Sequence, residues 1–216
     1  VNTLIGTKGV GLTSGYLYPG ATYPYGMVQF TPSYFSKRSG FVINQLSGGG
    51  CEHMGNFPTF PVKGKLKMSP DNILNYRINI SEEKGHAGYY EAKVQEDIHA
   101  KLTVTERTGM ASYEYPADQQ YGTVIIGGGI SATPIDQAAI VITAPNKCEG
   151  YAEGGNFCGL RTPYKVYFVA EFDTDALESG TWKRDELKPN TTFAEGEYSG
   201  VYFTFDVNKK KNIQYK

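Results

Sequence analysis

The residues best equipped for chemistry stand in one short stretch. Ser47-Gly48-Gly49-Gly50-Cys51-Glu52-His53-Met54-Gly55-Asn56 sets a thiol, a carboxyl and an imidazole side by side behind three glycines. A thiol hydrolase needs a base beside its nucleophile and a third group that orients the base. Residues two apart on a glycine-rich loop seldom meet that geometry, and no orienting partner for Cys51 and His53 is evident. Zinc asks for four ligands at spacings such as C-x2-C, which Cys51-Glu52-His53 does not supply, so no metal site is expected. What the stretch does offer is close backbone approach at its glycines and hydrogen-bonding groups at Glu52 and His53. A second stretch, Gly15-Tyr16-Leu17-Tyr18-Pro19-Gly20-Ala21-Thr22-Tyr23-Pro24-Tyr25-Gly26, is dense in tyrosine and turn formers. Tyrosine rings stack on sugars or bases and add a hydroxyl. Both stretches read as ligand-binding loops or, alternatively, as a covering loop packed under its own aromatics.

The remaining reactive groups have simpler readings. His99 falls on the polar face of a strand pattern, and Lys209-Lys210-Lys211 reads as a solvated turn. The three cysteines, Cys51, Cys148 and Cys158, are an odd number. Cys148 and Cys158 can form one local disulfide in an oxidising compartment; three free thiols are the alternative.

The elements that must position these loops are strands. Twenty-six glycines, 17 tyrosines and 11 phenylalanines in 216 residues favour β-structure with many turns. Even positions from Ala92 to Val104 are apolar apart from Glu96, which predicts two strands joined by a turn at Glu96-Asp97. Met110–Tyr115, Tyr121–Ile126, Ala138–Thr143 and Gly200–Val207 predict further strands. Tyr164–Phe172 is the most apolar segment and predicts a central strand. Asn208–Asn212 predicts a hairpin turn, after which Ile213-Gln214-Tyr215-Lys216 opens a return strand. Short helical turns are expected at Ser69–Asn72 and Thr174–Leu177 only. The fold expected is therefore all-β: one domain over residues 1–216, a two-sheet antiparallel sandwich with long Gly/Tyr-rich loops.

Charge and hydropathy exclude several partners. Lys and Arg total 21 and Asp and Glu 22, so neither nucleic acid nor an anionic membrane surface is an expected partner. No apolar run reaches the ~18–20 residues of a membrane span. The opening Val1-Asn2-Thr3-Leu4-Ile5 carries no signal-peptide pattern and no initiator Met, which suggests a processed chain.

Several blocks, in order along the chain, resemble glycoside hydrolase family 92, the calcium-dependent exo-acting α-mannosidases. Val1-Asn2-Thr3-Leu4-Ile5-Gly6-Thr7 is similar to the family's V-N-x-x-I-G-T opening. Pro19-Gly20-Ala21-Thr22-Tyr23-Pro24-Tyr25-Gly26-Met27-Val28-Gln29 resembles P-G-A-x-x-P-F-G-M-V-Q, with Tyr25 in place of Phe. Leu46-Ser47-Gly48-Gly49-Gly50-Cys51 resembles L-S-G-x-G-C, and Gly88-Tyr89-Tyr90 with Ile98-His99-Ala100-Lys101-Leu102-Thr103 resembles the G-Y-Y and I-x-A-x-L-T pair. The resemblance covers most of residues 1–116 and, more loosely, 163–173.

The resemblance implies the N-terminal β-sandwich of a two-domain enzyme whose (α/α)6 catalytic domain is absent from these residues. Such an enzyme removes terminal mannose with inversion, using a Glu acid and an Asp base from the helical domain. It implies calcium, with ligands mostly outside this chain. By motif match, Tyr25 and Gly26 would lie against the first sugar, and Cys51, Glu52 and His53 near the leaving-group sugar. No catalytic and no metal-binding residue is expected in this chain. The partners implied are a mannose-containing glycan and the catalytic domain of the same polypeptide, and the location is extracytoplasmic: periplasm, cell surface or medium. The sequence departs from the family where a His-x-His is replaced by Ile43-Asn44-Gln45 and where Glu52-His53-Met54-Gly55-Asn56 stands for Gly-Asp-x-Gly-Asp. Alpha-1,2 linkage is the expectation, with α-1,3, α-1,4 and mannose-phosphate substrates left open. Two other classes compete: a free-standing carbohydrate-binding sandwich without catalysis, and a structural domain whose glycine-rich loops dock a neighbour.

Overall fold

The computed structural model describes residues 2–7, 17–33, 40–46, 53–71 and 79–216. These form seventeen strands: β1 (Ala21–Thr22), β2 (Gln29–Pro32), β3 (Phe41–Gln45), β4 (Met54–Lys63), β5 (Ile80–His86), β6 (Tyr89–Val94), β7 (Ile98–Val104), β8 (Gly109–Glu114) and β9 (Tyr121–Gly127). There follow β10 (Ile135–Ala144), β11 (Lys147–Phe157), β12 (Leu160–Glu171), β13 (Glu178–Lys183), β14 (Glu186–Pro189), β15 (Phe193–Glu195), β16 (Ser199–Asp206) and β17 (Asn212–Tyr215). The all-β expectation holds, and every strand pairing is antiparallel.

One layer is an eight-stranded sheet ordered β1-β2-β3-β4-β9-β16-β13-β14. The other layer is two sheets laid edge to edge, β15-β10-β11-β12 and β17-β8-β7-β6-β5, with β12 and β17 as the facing edges. They touch at a single bridge, Phe172 to Tyr215. Reciprocal hydrogen bonds flank it: Glu171 N–H donates to the Lys216 carbonyl at 2.9 Å, and Lys216 N–H returns to Glu171 at 3.1 Å.

Period-two patterning explains the facing of the layers. In β7 the order runs buried, exposed, buried along Ile98–Val104, so Ile98, Ala100, Leu102 and Val104 enter the core. The turn before it sits at Gln95–Asp97, with Gln95 and Glu96 both at positive φ, as the alternation predicted. Between the layers pack Trp182, Phe30, Phe41, Tyr90, Tyr113, Tyr115, Phe172, Phe203 and Phe205, each contributing roughly 1.5–3 kcal/mol by burial. A second, smaller cluster of Phe57, Ile135, Ala138 and Ala152 lies under β12, where the Phe57 and Phe168 rings meet at 4.1 Å.

Three expectations need correction. The Tyr164–Phe172 segment lies in β12, an edge strand of its four-stranded sheet and not a central one. Its apolar residues face both ways: Val166 and Phe168 turn inward, while Tyr167 and Val169 are exposed. Residues 174–177 form no helical turn, because Ala176 and Leu177 donate to the distant carbonyls of Pro145 and Thr204. The Ser69–Asn72 turn is helical at residues 70–71, with Asn72 outside the described residues. Lastly, much of the described part of the first sixty residues is strand and supplies β1–β4 to the large sheet. Pro58 and Pro61 obscure β4 in the sequence. They are tolerated because the β3 pairing shifts register near Pro58 and has ended before Pro61.

Candidate functional site

The loop between β1 and β2 is built around a tight turn. Gly26 N–H donates to the Tyr23 carbonyl at 2.9 Å, closing Tyr23-Pro24-Tyr25-Gly26. Pro24 stands second and Tyr25, at φ 59°, third, which is the pattern of a type II turn. That third position favours glycine or asparagine, and an L side chain there costs about 1–2 kcal/mol. Tyr25 occupies it with its side chain fully exposed. Conformation alone argues against tyrosine at this site, so the exposed ring is the reason to look for a use.

The loop is held on both flanks. Met27 N–H donates to the Glu106 carbonyl in the β7–β8 turn at 2.6 Å. A Cβ on Gly26 would stand 3.3 Å from that same Glu106 oxygen and 3.1 Å from the Tyr23 carbonyl, so glycine allows the approach. On the other flank the Asn44 side chain, from β3, accepts from Gln29 N–H at 2.8 Å and donates to the Met27 carbonyl at 3.0 Å. Asn44 itself lies at φ 54°, a conformation asparagine tolerates better than most residues. It is the site residue the sequence reading did not assign. It is the middle residue of Ile43-Asn44-Gln45, and nothing local to that stretch marks it.

His53 lies in a different setting. It is 4% exposed, its Nδ1 is 3.3 Å from the Asn156 carbonyl, and its ring packs edge-on to Tyr164 and tilted against Phe157. The tip of the β11–β12 hairpin thus covers it. Beside it Asn56 donates from Nδ2 to the Tyr164 hydroxyl at 3.1 Å, while its Oδ1 has no partner among the described residues. The Gln45 amide is buried with neither its oxygen nor its nitrogen paired among the described residues. Cys51 and Glu52 lie outside the described residues.

The two loop regions meet at one cavity of about 700 Å³. Met27 and Val28, next to Tyr25 and Gly26, line one wall, and Met54 and Asn56, next to His53, line another. The rings of Tyr25 and His53 are not themselves in its walls. Among the described residues no group of three or more His, Cys, Asp or Glu converges as metal ligands would.

The cysteines correct the sequence reading. Cys148 is a free thiol, fully buried, and burial followed by the Glu149 charge pushes its pKa far up. Cys158 is disulfide-bonded, so neither a Cys148–Cys158 bridge nor three free thiols describes the chain. Adjacency in sequence misled because Cys148 points into the core from β11, while Cys158 sits in the hairpin turn at φ 50°.

Comparison with known proteins agrees with this architecture. The sequence matches the glycosyl hydrolase family 92 N-terminal domain over residues 1–216. It is 32% identical over 136 residues to an uncharacterized secreted glycosidase of Arthroderma benhamiae, covering 54% of this chain and 17% of that protein. Its fold is similar to that of a family 92 α-mannosidase from Bacteroides thetaiotaomicron in complex with mannoimidazole, with a TM-score of 0.82 and 23% identity. That match covers 100% of this chain and 31% of the other. An inverting family 92 mannosidase of the same organism matches with a TM-score of 0.80 and 24% identity, over 100% of this chain and 30% of its own. The chain thus spans about a third of the solved structures it resembles. Matched from first residue to last, the chain belongs to glycosyl hydrolase family 92 as its N-terminal domain.

Proposed function

We propose that this domain is the accessory half of an α-mannosidase active site, in a full-length protein that continues into an (α/α)6 catalytic domain. That enzyme hydrolyses terminal α-linked mannose, with α-1,2 as the favoured linkage, by inversion. Inversion needs two carboxyl groups about 6.5–9.5 Å apart, one to protonate the leaving oxygen and one to activate water. We assign both to the missing domain and none to residues 1–216. The sandwich contributes sugar contacts: Tyr25 and Gly26 to the first sugar, and Cys51, Glu52 and His53 toward the leaving group.

The observation that carries this reading is Tyr25, a fully exposed ring held at positive φ on a loop clamped by Asn44 and the β7–β8 turn. Such an arrangement preorganises a flat apolar face with a hydroxyl, suited to a sugar ring. Calcium prefers six to eight oxygen ligands, and the described residues do not fit such a site. We assign its ligands mostly to the catalytic half. The disulfide at Cys158 supports an oxidising, extracytoplasmic location.

The test is mannose release from α-linked mannobioses with calcium present, by residues 1–216 and by the protein extended through the catalytic region. Release by the longer protein alone is the expected result. Release by residues 1–216 alone would place the carboxyl pair inside this chain and overturn the assignment.

A second reading has its own observation. The outer face of β10, β11 and β12 carries a hollow of about 430 Å³ over Gly150, walled by Tyr151, Tyr167 and Phe193. Aromatics around a shallow hollow suit a carbohydrate-binding module. Binding of residues 1–216 to mannan, lost in Tyr167→Ala and kept in Tyr25→Ala, would favour this alternative.

A further inference from the structure

The layer opposite the eight-stranded sheet is incomplete at one place. Strand β17 lies between β8 and β12, but it pairs β8 only over Asn212–Tyr215 against Glu114–Ala111. Beyond Tyr215 the two neighbours run on without it. On the β12 side, Glu171 N–H faces β17, whereas Phe172 N–H faces the other way to the Asn146 carbonyl. Backbone groups alternate along an antiparallel strand. The N–H and C=O of Val169, Tyr167 and Lys165 therefore point toward the same open edge as those of Glu171. No described residue pairs with them. On the β8 side, Tyr115 N–H bonds to the Lys211 carbonyl, so by the same alternation Gly109 presents its backbone to the opening.

Beneath this opening lies the 700 Å³ cavity. Its floor is core: Phe30, Ile43, Phe57 and Ile126 from the large sheet, with Phe168 and Tyr215 at the sides. The long edge of β12 faces the short remaining edge of β8 at Gly109 over a mostly apolar floor, and this leaves room for a strand. A small apolar ligand would fill the floor and leave the backbone groups of β12 and of Gly109 unpaired, which is unfavourable wherever they are shielded from water.

We infer that the slot between β8 and β12 is filled by an added β-strand, and that the polypeptide directly following Lys216 supplies it as a continuation of β17. The inference rests on the proposed continuation of the chain into a second domain. The register is already set. Continuing the pairing of Tyr215 with Ala111 brings the first residue after Lys216 opposite Gly109. Continuing the bonds between Lys216 and Glu171 brings the second opposite Val169 and the fourth opposite Tyr167. Ile213 and Tyr215 are buried and Lys216 is exposed, so the first, third and fifth residues after Lys216 face the cavity. They are apolar, and the intervening ones lie on the outer face beside the exposed Tyr167 and Val169. The far end of the slot is closed by Met27, Val28 and Arg107. The strand that leads out of this domain therefore runs beneath the loop that carries Tyr25.

Amide hydrogen exchange on the full-length protein tests this. Protection of the Val169 and Tyr167 amides by at least about 100-fold over the unstructured rate is expected. Exchange near the unstructured rate in a folded protein overturns the inference, whether or not that protein releases mannose. Protected amides in a protein that releases no mannose would leave the slot filled and defeat the functional reading instead. A charged residue at the first or third position after Lys216 also overturns the inference, because a charge on that apolar floor is not tolerated unpaired.

Discussion

The Asn44 side chain holds the Met27 main chain: Nδ2 donates to the Met27 carbonyl at 3.0 Å while Oδ1 accepts from Gln29 N–H at 2.8 Å. One side chain thus substitutes for a strand neighbour where β2 begins, and it fixes how the Tyr23–Gly26 turn leaves the sheet. Asn44→Gly keeps the backbone free to adopt φ 54° and removes only the clamp. Its expected cost is about 1–3 kcal/mol in urea unfolding, with a fall in kcat/KM of the full-length enzyme. Unchanged kinetics with lowered stability would make Asn44 purely structural.

Tyr25 separates conformation from contact. Tyr25→Gly relieves the positive φ, so stability holds or rises by up to about 1 kcal/mol after the entropy cost of glycine. If the ring stacks on sugar, the same change lowers kcat/KM on α-mannosides by about tenfold, and Tyr25→Phe keeps most of it. A variant that is stabilised and fully active would end the case for this residue.

A buried hydroxyl cluster ties the layers together. The Thr59 hydroxyl meets the Tyr113 hydroxyl at 2.7 Å and is also bonded to the Tyr215 hydroxyl, while the two tyrosines are 3.2 Å apart. Burial pushes the pKa values of Tyr113, Tyr115 and Tyr215 well above the ordinary tyrosine value. Tyr89, nearer the surface, is pushed to about 12, first by burial and then by its bond to Glu91. A raised folded pKa means that above about pH 10 the unfolded chain has released protons the folded chain retains. The stability from these groups is complete below pH ~10 and falls with rising pH from there. Alkaline denaturation followed at 295 nm should show buried phenolates forming together with unfolding. Titration of all tyrosines before any loss of structure would contradict the burial.

Cys148 offers a chemical check on the core. Its thiol is buried and its pKa is raised, so iodoacetamide should leave it unmodified in the native protein and label it in guanidinium. Peptide mass analysis reads both states. Labelling of native Cys148, or a peptide linking it to Cys158, would show the packing of β11 to be wrong.

Much of the frame is present in local pattern. The alternation from Ala92 to Val104 marks β6, its turn and β7, because side chains on a strand must alternate between core and water. The Gly/Tyr stretch around Tyr25 marks a turn-rich loop for a similar reason, since proline and glycine dictate backbone shape residue by residue. What lay beyond the sequence are contacts between residues far apart in it. Asn44 reaches Met27 across 17 positions, His53 finds the Asn156 carbonyl across 103, and Thr59 meets Tyr215 across 156. The same holds for β12, whose apolar run reads as a central strand until the layers assemble and leave one of its edges open. Strand order is set by which edges meet when the sheets close over one core, and no local period carries that information.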